Sequence, residues 1–274
     1  MATITSDSLT ALILTYNEED NIDRVLMRLQ WLERVIVLDS YSTDATLEII
    51  EKYPNVEVFF RKFDTHATQW NYGLSLVKSD WVLTLDADYV LPDEFIEETK
   101  EFIQTSEKSA YFSQFRFLVF GRSILGDNTT PRPVLFKLDQ CIYYDDGHTQ
   151  RLKITGETGY YKSFIYHDDR KPLSRWLKNM DGYAILECKK LLNPHDPTIN
   201  SFTNRIRRTK ILGPIFIFFY CLFIKGLIFS GWAGWHYTLQ RTLAEIIFSL
   251  RLVEAEKLSK YNPQTKVKQD IVKV

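Results

Sequence analysis

Residues 81–88 read Trp81-Val82-Leu83-Thr84-Leu85-Asp86-Ala87-Asp88. A short run of apolar and β-branched residues ends abruptly in two carboxylates one residue apart. The run predicts a buried strand. The carboxylates predict a site at its carboxyl end, because clustered negative charge is costly unless something positive meets it. Upstream, the same design repeats. Leu9 to Leu14 is an apolar strand followed by Thr15-Tyr16-Asn17-Glu18, and Val35 to Leu38 is a second that ends at Asp39. Val56 to Phe60 is a third, and helical patterns separate them, including Val25, Leu26 and Leu29 and a stretch from about His66 to Val77. This βα alternation with apolar strands predicts an α/β domain, a mostly parallel sheet with helices on both faces. Ligands of such sheets bind outside the carboxyl ends of the strands. The polar clusters at residues 15–18, 39–44 and 86–88 are therefore expected to share one edge.

Further along, Tyr111 to Phe120 and Val134 to Lys137 read as strands, and a helix is expected after Pro172. Composition then shifts. Arg205, Arg207, Arg208 and Lys210 form a basic cluster, and Ile211 to Ile224 is almost wholly apolar apart from a break expected at Gly213-Pro214. Lys225 interrupts, and GLIFSGWAGWHY continues with aromatics. The run is shorter than the roughly 20 residues a spanning helix needs. Basic flanks with Trp and Tyr suit the headgroup region, so a segment dipping into one leaflet is expected, with a full span or a buried core hairpin as alternatives. Leu239, Leu243, Ile246, Ile247, Leu250 and Val253 then mark an amphipathic helix that can pack on the catalytic domain, on a second subunit as a homo-oligomer, or on lipid. The expected division is a catalytic domain over 1–200 and a helical membrane-associated region over 201–274.

Composition excludes some classes. With 45% hydrophobic and 25% charged residues the chain is globular, and a net charge of -1 carries no general field for nucleic acid. Three cysteines without a CxxC pair argue against a disulfide framework or a zinc site and favour a reducing compartment. The first ten residues lack a basic n-region and apolar core, so no cleaved signal is expected. These features together point to the cytoplasmic face of a membrane.

Hard oxygen ligands such as Asp86 and Asp88 suit magnesium or manganese, which in turn can hold a diphosphate. Tyr16 can stack on a base and Glu18 can accept from a ribose hydroxyl; Asn17 to Glu19 also read as helix-capping residues. Capping explains Ser42 to Asp44 but not Asp39. The stretches ALILTYNEED, VIVLDSYSTDAT and ATQWNYGLSLVKSDWVLTLDADYVLPDEF, in that order, resemble the family-two glycosyltransferases of the GT-A fold. The likeness covers roughly the first 190 residues, and the chain looks like a close relative of the bacterial lipopolysaccharide-core glucosyltransferases of that family.

The resemblance implies an inverting transfer from a nucleoside diphosphate-sugar, commonly a uridine diphosphate sugar, to a glycan or glycolipid acceptor. It implies that Tyr16 stacks on the donor base with Thr15 and Glu18 beside it, and that Asp39 hydrogen-bonds the base. Asp86 would face the ribose, and Asp88 would bind the metal. Asn71 falls where relatives carry a basic residue followed by Asn; here Trp70 precedes it, leaving a diphosphate contact to Lys62, Arg61 or Arg132. Inversion needs a carboxylate base. Asp145 and Asp146 are the candidates, with Asp146 preferred, and His148 would complete the metal shell or touch phosphate. Relatives often show Val-His-Glu at this point, whereas the chain reads Gly147-His148-Thr149-Gln150. His167, Arg170 and Lys171 form a further charged cluster that either is solvated or reaches donor phosphates or an anionic acceptor. Two rivals share these features: a polyprenyl-phosphate glycosyltransferase and an inactive membrane-bound scaffold. A nucleotidyltransferase is disfavoured because residues 15–20 contain no glycine and are acidic.

Overall fold

The structure is a computed structural model that describes residues 8–126, 130–146, 149–193 and 201–261, less the side chains of Asp146, Thr149 and residues 259–261. The chain forms two compact units, Met1–Lys171 and Pro172–Val274. The division thus falls near residue 171, ahead of the boundary expected near 200.

In the first unit, β1 (Leu9–Thr15), β2 (Val35–Asp39), β3 (Val56–Phe60) and β4 (Trp81–Asp86) alternate with α1 (Ile22–Met27), α2 (Thr46–Ile50) and α3 (His66–Ser75). The four strands pair in parallel in the order β3-β2-β1-β4. The registers Thr15↔Asp39 and Leu14↔Asp86 align their carboxyl ends on one edge. After β5 (Tyr89–Val90) and α4 (Asp93–Thr105) come β6 (Ala110–Val119), β7 (Arg122–Ser123), β8 (Arg132–Lys137), β9 (Cys141–Asp146), β10 (Thr149–Ile154) and β11 (Thr158–His167). Strand β8 runs antiparallel between β4 and β6, β11 pairs in parallel with β6, and β5 closes the order antiparallel to β11. Strands β9 and β10 form a separate hairpin.

Strand side chains alternate between faces, and both faces are covered. Leu9, Ala11 and Ile13 share one core with Val35, Val37, Leu83 and Leu85, beneath Ile22, Val25 and Leu26 of α1, Ile50 of α2 and Phe95 and Ile96 of α4. Leu12, Ile36 and Val82 point the other way and meet Ala67, Trp70 and Leu74 of α3 and Tyr143 of β9. This two-sided burial is why the strands read as unbroken apolar runs. Helix α3 starts on a capping box in which Thr65 and Thr68 satisfy each other's backbone N–H.

The second unit comprises α5 (Leu173–Leu192), α6 (Phe202–Arg208), α7 (Leu212–Phe219) and α8 (Gly231–Tyr261). Gly213 and Pro214 do not break α7. They occupy its first turn, where a missing N–H costs nothing. A wide turn at Tyr220–Ile224 extends α7, and the chain reverses at Gly226, whose φ of +70° is left-handed. At Gly234 a Cβ would lie 1.9 Å from the Leu227 carbonyl oxygen, so the hairpin closes only over glycine. Among the described residues no single helix is long and apolar enough to cross a membrane; the pair Leu212–Ile224 and Leu227–Leu258, bent by 69°, meets the length and composition required.

Helix α5 packs its Ala184, Cys188 and Leu191 on Phe248 and Leu252 of α8. That packing is why α5 belongs with the second unit. The basic cluster is largely spent inside the unit. Arg207 pairs with Glu245 at 2.5 Å and Glu187 at 3.5 Å, Lys210 with Glu256 at 2.5 Å, and Arg208 donates to the Leu191 carbonyl.

Candidate functional site

Three strand ends bring their polar residues together. Thr15, at the end of β1, donates to Asp39 at the end of β2 over 2.8 Å. Asp39 is fully buried, and the Ser42 amide and hydroxyl also donate to it, at 2.7 and 2.6 Å. Buried carboxylates require such partners. The expected cap at Asn17 does not form. Asn17 takes a left-handed φ of +55°, and its carboxamide oxygen accepts from the Thr43 amide at 2.7 Å, while its own amide donates to the Ser42 hydroxyl at 2.7 Å. Residues 15–18 and 39–46 are thus laced into one rim, completed by the Glu18 amide donating to Thr46 at 2.6 Å. The N-cap position of α2 falls on Ala45, which has no side-chain cap, and Asp44 one residue earlier accepts from the Thr46 amide at 3.0 Å. Tyr16 stands exposed on this rim.

Glu18 is held from two sides. Lys171 pairs with it at 2.7 Å, and Asn21 donates to it at 3.0 Å. Burial raises the Glu18 carboxyl above its ordinary range, and Lys171 opposes that shift.

Asp86 is exposed at the last position of β4; Ala87 after it is buried, and Asp88 is itself only 8% exposed. Its Oδ2 meets His167 Nε2 at 3.0 Å, and its Oδ1 is buried with no hydrogen-bond partner. Strand β11 delivers the histidine, because its antiparallel pairing with β5 sets His167 opposite Tyr89. Burial works to raise the Asp88 carboxyl, but the charge and hydrogen bond of His167 prevail and the net direction is down. The His167 imidazole moves the other way: burial opposes its charge, and Asp88 raises it overall. Asp86 ends β4 with its side chain partly open to solvent and partly walled by neighbouring groups. The protein around it and then the neighbouring Asp88 charge raise its carboxyl, partly offset by a hydrogen bond from Tyr89 and by the charges of His167 and Arg132.

Two crowded carboxylates and one orphaned buried oxygen fit a divalent cation. The ligand types suit magnesium or manganese. No group of three His, Cys, Asp or Glu side chains converges for a metal among the described residues, so water and a bound phosphate would complete the shell. The segment after His167 is pinned beside it. Asp168 is buried, pairs with Arg24 and with Arg170 at 2.7 Å each, and accepts from the Gly121 amide; its own amide donates to the Asp88 carbonyl.

Asn71, expected as a donor contact, does other work. Its Nδ2 donates to the Tyr143 carbonyl at 2.8 Å, and its Oδ1 accepts from the Tyr143 amide at 3.0 Å. Both ends of the carboxamide are consumed in bracing β9 against α3. Arg61 is likewise engaged, by Asp64 and Gln69. Asp145 accepts from the Thr65 hydroxyl at 3.2 Å. The Asp146 backbone ends β9, its side chain lies outside the described residues, and so does the whole of His148. The histidine that does meet Asp88, His167, sits at the end of β11, a strand not predicted from the sequence; the short apolar run Phe164-Ile165-Tyr166 before it was the signal that could have found it.

The family model described as glycosyl transferase family 2 matches residues 10–167. An uncharacterized glycosyltransferase of Rickettsia bellii is 28% identical over 134 residues, 48% of this chain and 44% of the relative. The SPbeta prophage-derived glycosyltransferase SunS of Bacillus subtilis is 33% identical over 90 residues, 32% of this chain and 21% of the relative. The chain thus spans less than half the length of these curated relatives. Among solved structures, residues 1–349 of S. aureus TarS in complex with UDP-GlcNAc align with a TM-score of 0.46 at 15% identity, covering 92% of each chain. The mannosyltransferase PcManGT of Pyrobaculum calidifontis, in complex with GDP-Man and Mn2+, aligns with a TM-score of 0.48 at 14% identity, covering 90% of this chain and 87% of the other.

Proposed function

The chain belongs to glycosyl transferase family 2, and from that membership we propose that it moves a sugar, with inversion, from a nucleoside diphosphate-sugar to a hydroxyl of a membrane-borne glycan or glycolipid. The observation that carries the reading is the buried, partnerless Oδ1 of Asp88 beside Asp86 at the carboxyl edge of the sheet. A uridine diphosphate sugar is the donor we favour.

In this reading Asp88 would hold a magnesium or manganese ion. When bound, such an ion supplies positive charge that stabilises the leaving diphosphate. His167 orients Asp88 through its Oδ2 and leaves Oδ1 for the ion. Tyr16, Thr15 and Asp39 receive the base, Asp86 faces the ribose, and Glu18 stands beside them. Arg132, whose charge already acts on Asp86, serves the phosphates in place of the missing basic residue before Asn71. Asp146, at the end of the β9–β10 hairpin, removes the acceptor proton as the new bond forms. Its neighbour Asp145 is occupied with Thr65. His148, which lies outside the described residues, remains our candidate for a second metal or phosphate contact.

The second unit is read as the membrane anchor, seated at the cytoplasmic face. Support comes from the exposed side chains Ile215, Phe219, Phe223, Ile224, Phe229 and Trp232 of the bent helix pair, since clustered solvent-facing apolar groups mark lipid or protein partners. Assay of sugar transfer or donor hydrolysis tests the catalytic reading. Asp88→Ala is expected to lower turnover by at least roughly a hundredfold with an unchanged circular dichroism spectrum. Turnover within a few-fold of wild type would sink the proposed metal site.

A further inference from the structure

The tripeptides 15–17 and 40–42 are stitched together at both ends. The Ser40 amide donates to the Thr15 carbonyl at 2.9 Å, and the Asn17 amide donates to the Ser42 hydroxyl at 2.7 Å. A tyrosine occupies the middle of each. Tyr16 is 53% exposed and Tyr41 57% exposed, so two large rings stand in solvent on adjoining loops of one rim. Asp39 lies buried between them, bonded to Thr15 and Ser42.

Tyr41 also holds a backbone conformation that an aromatic residue avoids. Its φ is +66°, in the left-handed region where Cβ crowds the backbone. Such strain costs on the order of 1 kcal/mol or more and persists only where the surroundings impose it, which happens chiefly at ligand sites. Glycine would remove the strain, yet the sequence spends a tyrosine there. The ring is not packed into a core that would repay the cost. It stacks instead on Phe60, also exposed, with centroids 5.8 Å apart and planes 27° apart. Phe60 is fixed in turn, because the next residue, Arg61, donates its amide to the Asp39 carbonyl at 3.1 Å. Gln69 steadies the near side through the Ser40 hydroxyl at 3.2 Å. The two rings are therefore prearranged before any ligand arrives.

We propose that Tyr41, backed by Phe60, is a positioning residue for the donor's nucleobase and forms a second aromatic wall beside Tyr16. A flat, sequence-tolerant π surface is what a base requires, and each stacking contact is a sizeable share of the binding energy of such a ligand. The proposal rests on the nucleoside diphosphate-sugar reading above.

Titration of the full-length protein with UDP, GDP and dTDP, each with manganese, tests it alongside the ligand-free melting temperature. Tyr41→Gly is expected to weaken the nucleotide that wild type binds by roughly tenfold while leaving the ligand-free melting temperature unchanged or raised, since the strain is gone. Tyr41→Phe keeps the ring and is expected to bind within about twofold of wild type. A merely structural tyrosine gives the opposite pattern: lower stability without a selective loss of binding. Equal affinity in Tyr41→Gly overturns the second wall, as does a loss shared fully by Tyr41→Phe, which would trace it to the hydroxyl. If wild type binds none of the nucleotides, the donor reading itself fails and takes this inference with it.

Discussion

The two units of this chain are built inside out with respect to each other. In the first, Leu12, Ile13, Leu83 and Phe95 are fully buried, and polar side chains such as Thr15, Asp39, Glu18 and Lys171 bond to each other at the strand ends. In the second, Phe229 and Ile224 are 83% and 76% exposed, while Arg207, Glu245 and Glu187 meet between helices. Exposed aromatics of this kind mark lipid or protein partners, and the proposed membrane anchor takes the first of these.

The largest effect that would break this contrast lies on these exposed side chains. Replacing Phe223, Phe229 and Trp232 together by asparagine removes about 5 kcal/mol of apolar burial from lipid, more than a thousandfold in partition. Flotation of the full chain with anionic vesicles is expected to drop from near complete to background. Flotation equal to wild type would assign these side chains to another partner.

A smaller effect concerns the interior. Arg207→Ala leaves Glu245, 7% exposed, without its cation, at a cost of about 3 kcal/mol. The double change Arg207→Met with Glu245→Leu is expected to recover most of that loss, because an apolar pair of similar volume needs no counter-charge. A single-variant cost under about 0.5 kcal/mol in chemical denaturation would show the pair to be as weak as a surface one.

The smallest sharpens the first unit. Asn71→Ala deprives the Tyr143 backbone of two hydrogen bonds and is expected to cost about 1–3 kcal/mol, with nucleotide affinity unchanged. Weaker nucleotide binding at unchanged stability would return Asn71 to the donor site.

Much of the first unit was legible in the sequence. Apolar runs ending in Thr15, Asp39 and Asp86 predict both the strands and their shared edge, because strands buried on both faces carry no alternation and their tips must turn polar. Strand β11 was harder to see, since Lys162 and Ser163 interrupt it at the irregular pairing between Tyr160 and Phe164, and with it went the encounter of His167 with Asp88. The role of Asn71 was hidden for another reason. A carboxamide that braces a backbone looks identical in sequence to one that binds phosphate. In the second unit, the basic residues near 205–210 suggested headgroup contacts, yet three of them find internal partners. Composition reveals charge but not which way a helix turns it. The break expected at Gly213-Pro214 moved to Gly226 because proline in a first turn is harmless, whereas a left-handed glycine reverses the chain.

The central claim is that Asp88 holds a metal that in turn holds a nucleotide. Thermal unfolding of wild type and Asp88→Ala, with nucleoside diphosphates and with or without manganese, tests it directly, because a ligand specific to the native state must raise the melting temperature. The account predicts a shift of several degrees for wild type that needs both nucleotide and metal and vanishes in Asp88→Ala. The same shift in the variant, or one that ignores manganese, would contradict it.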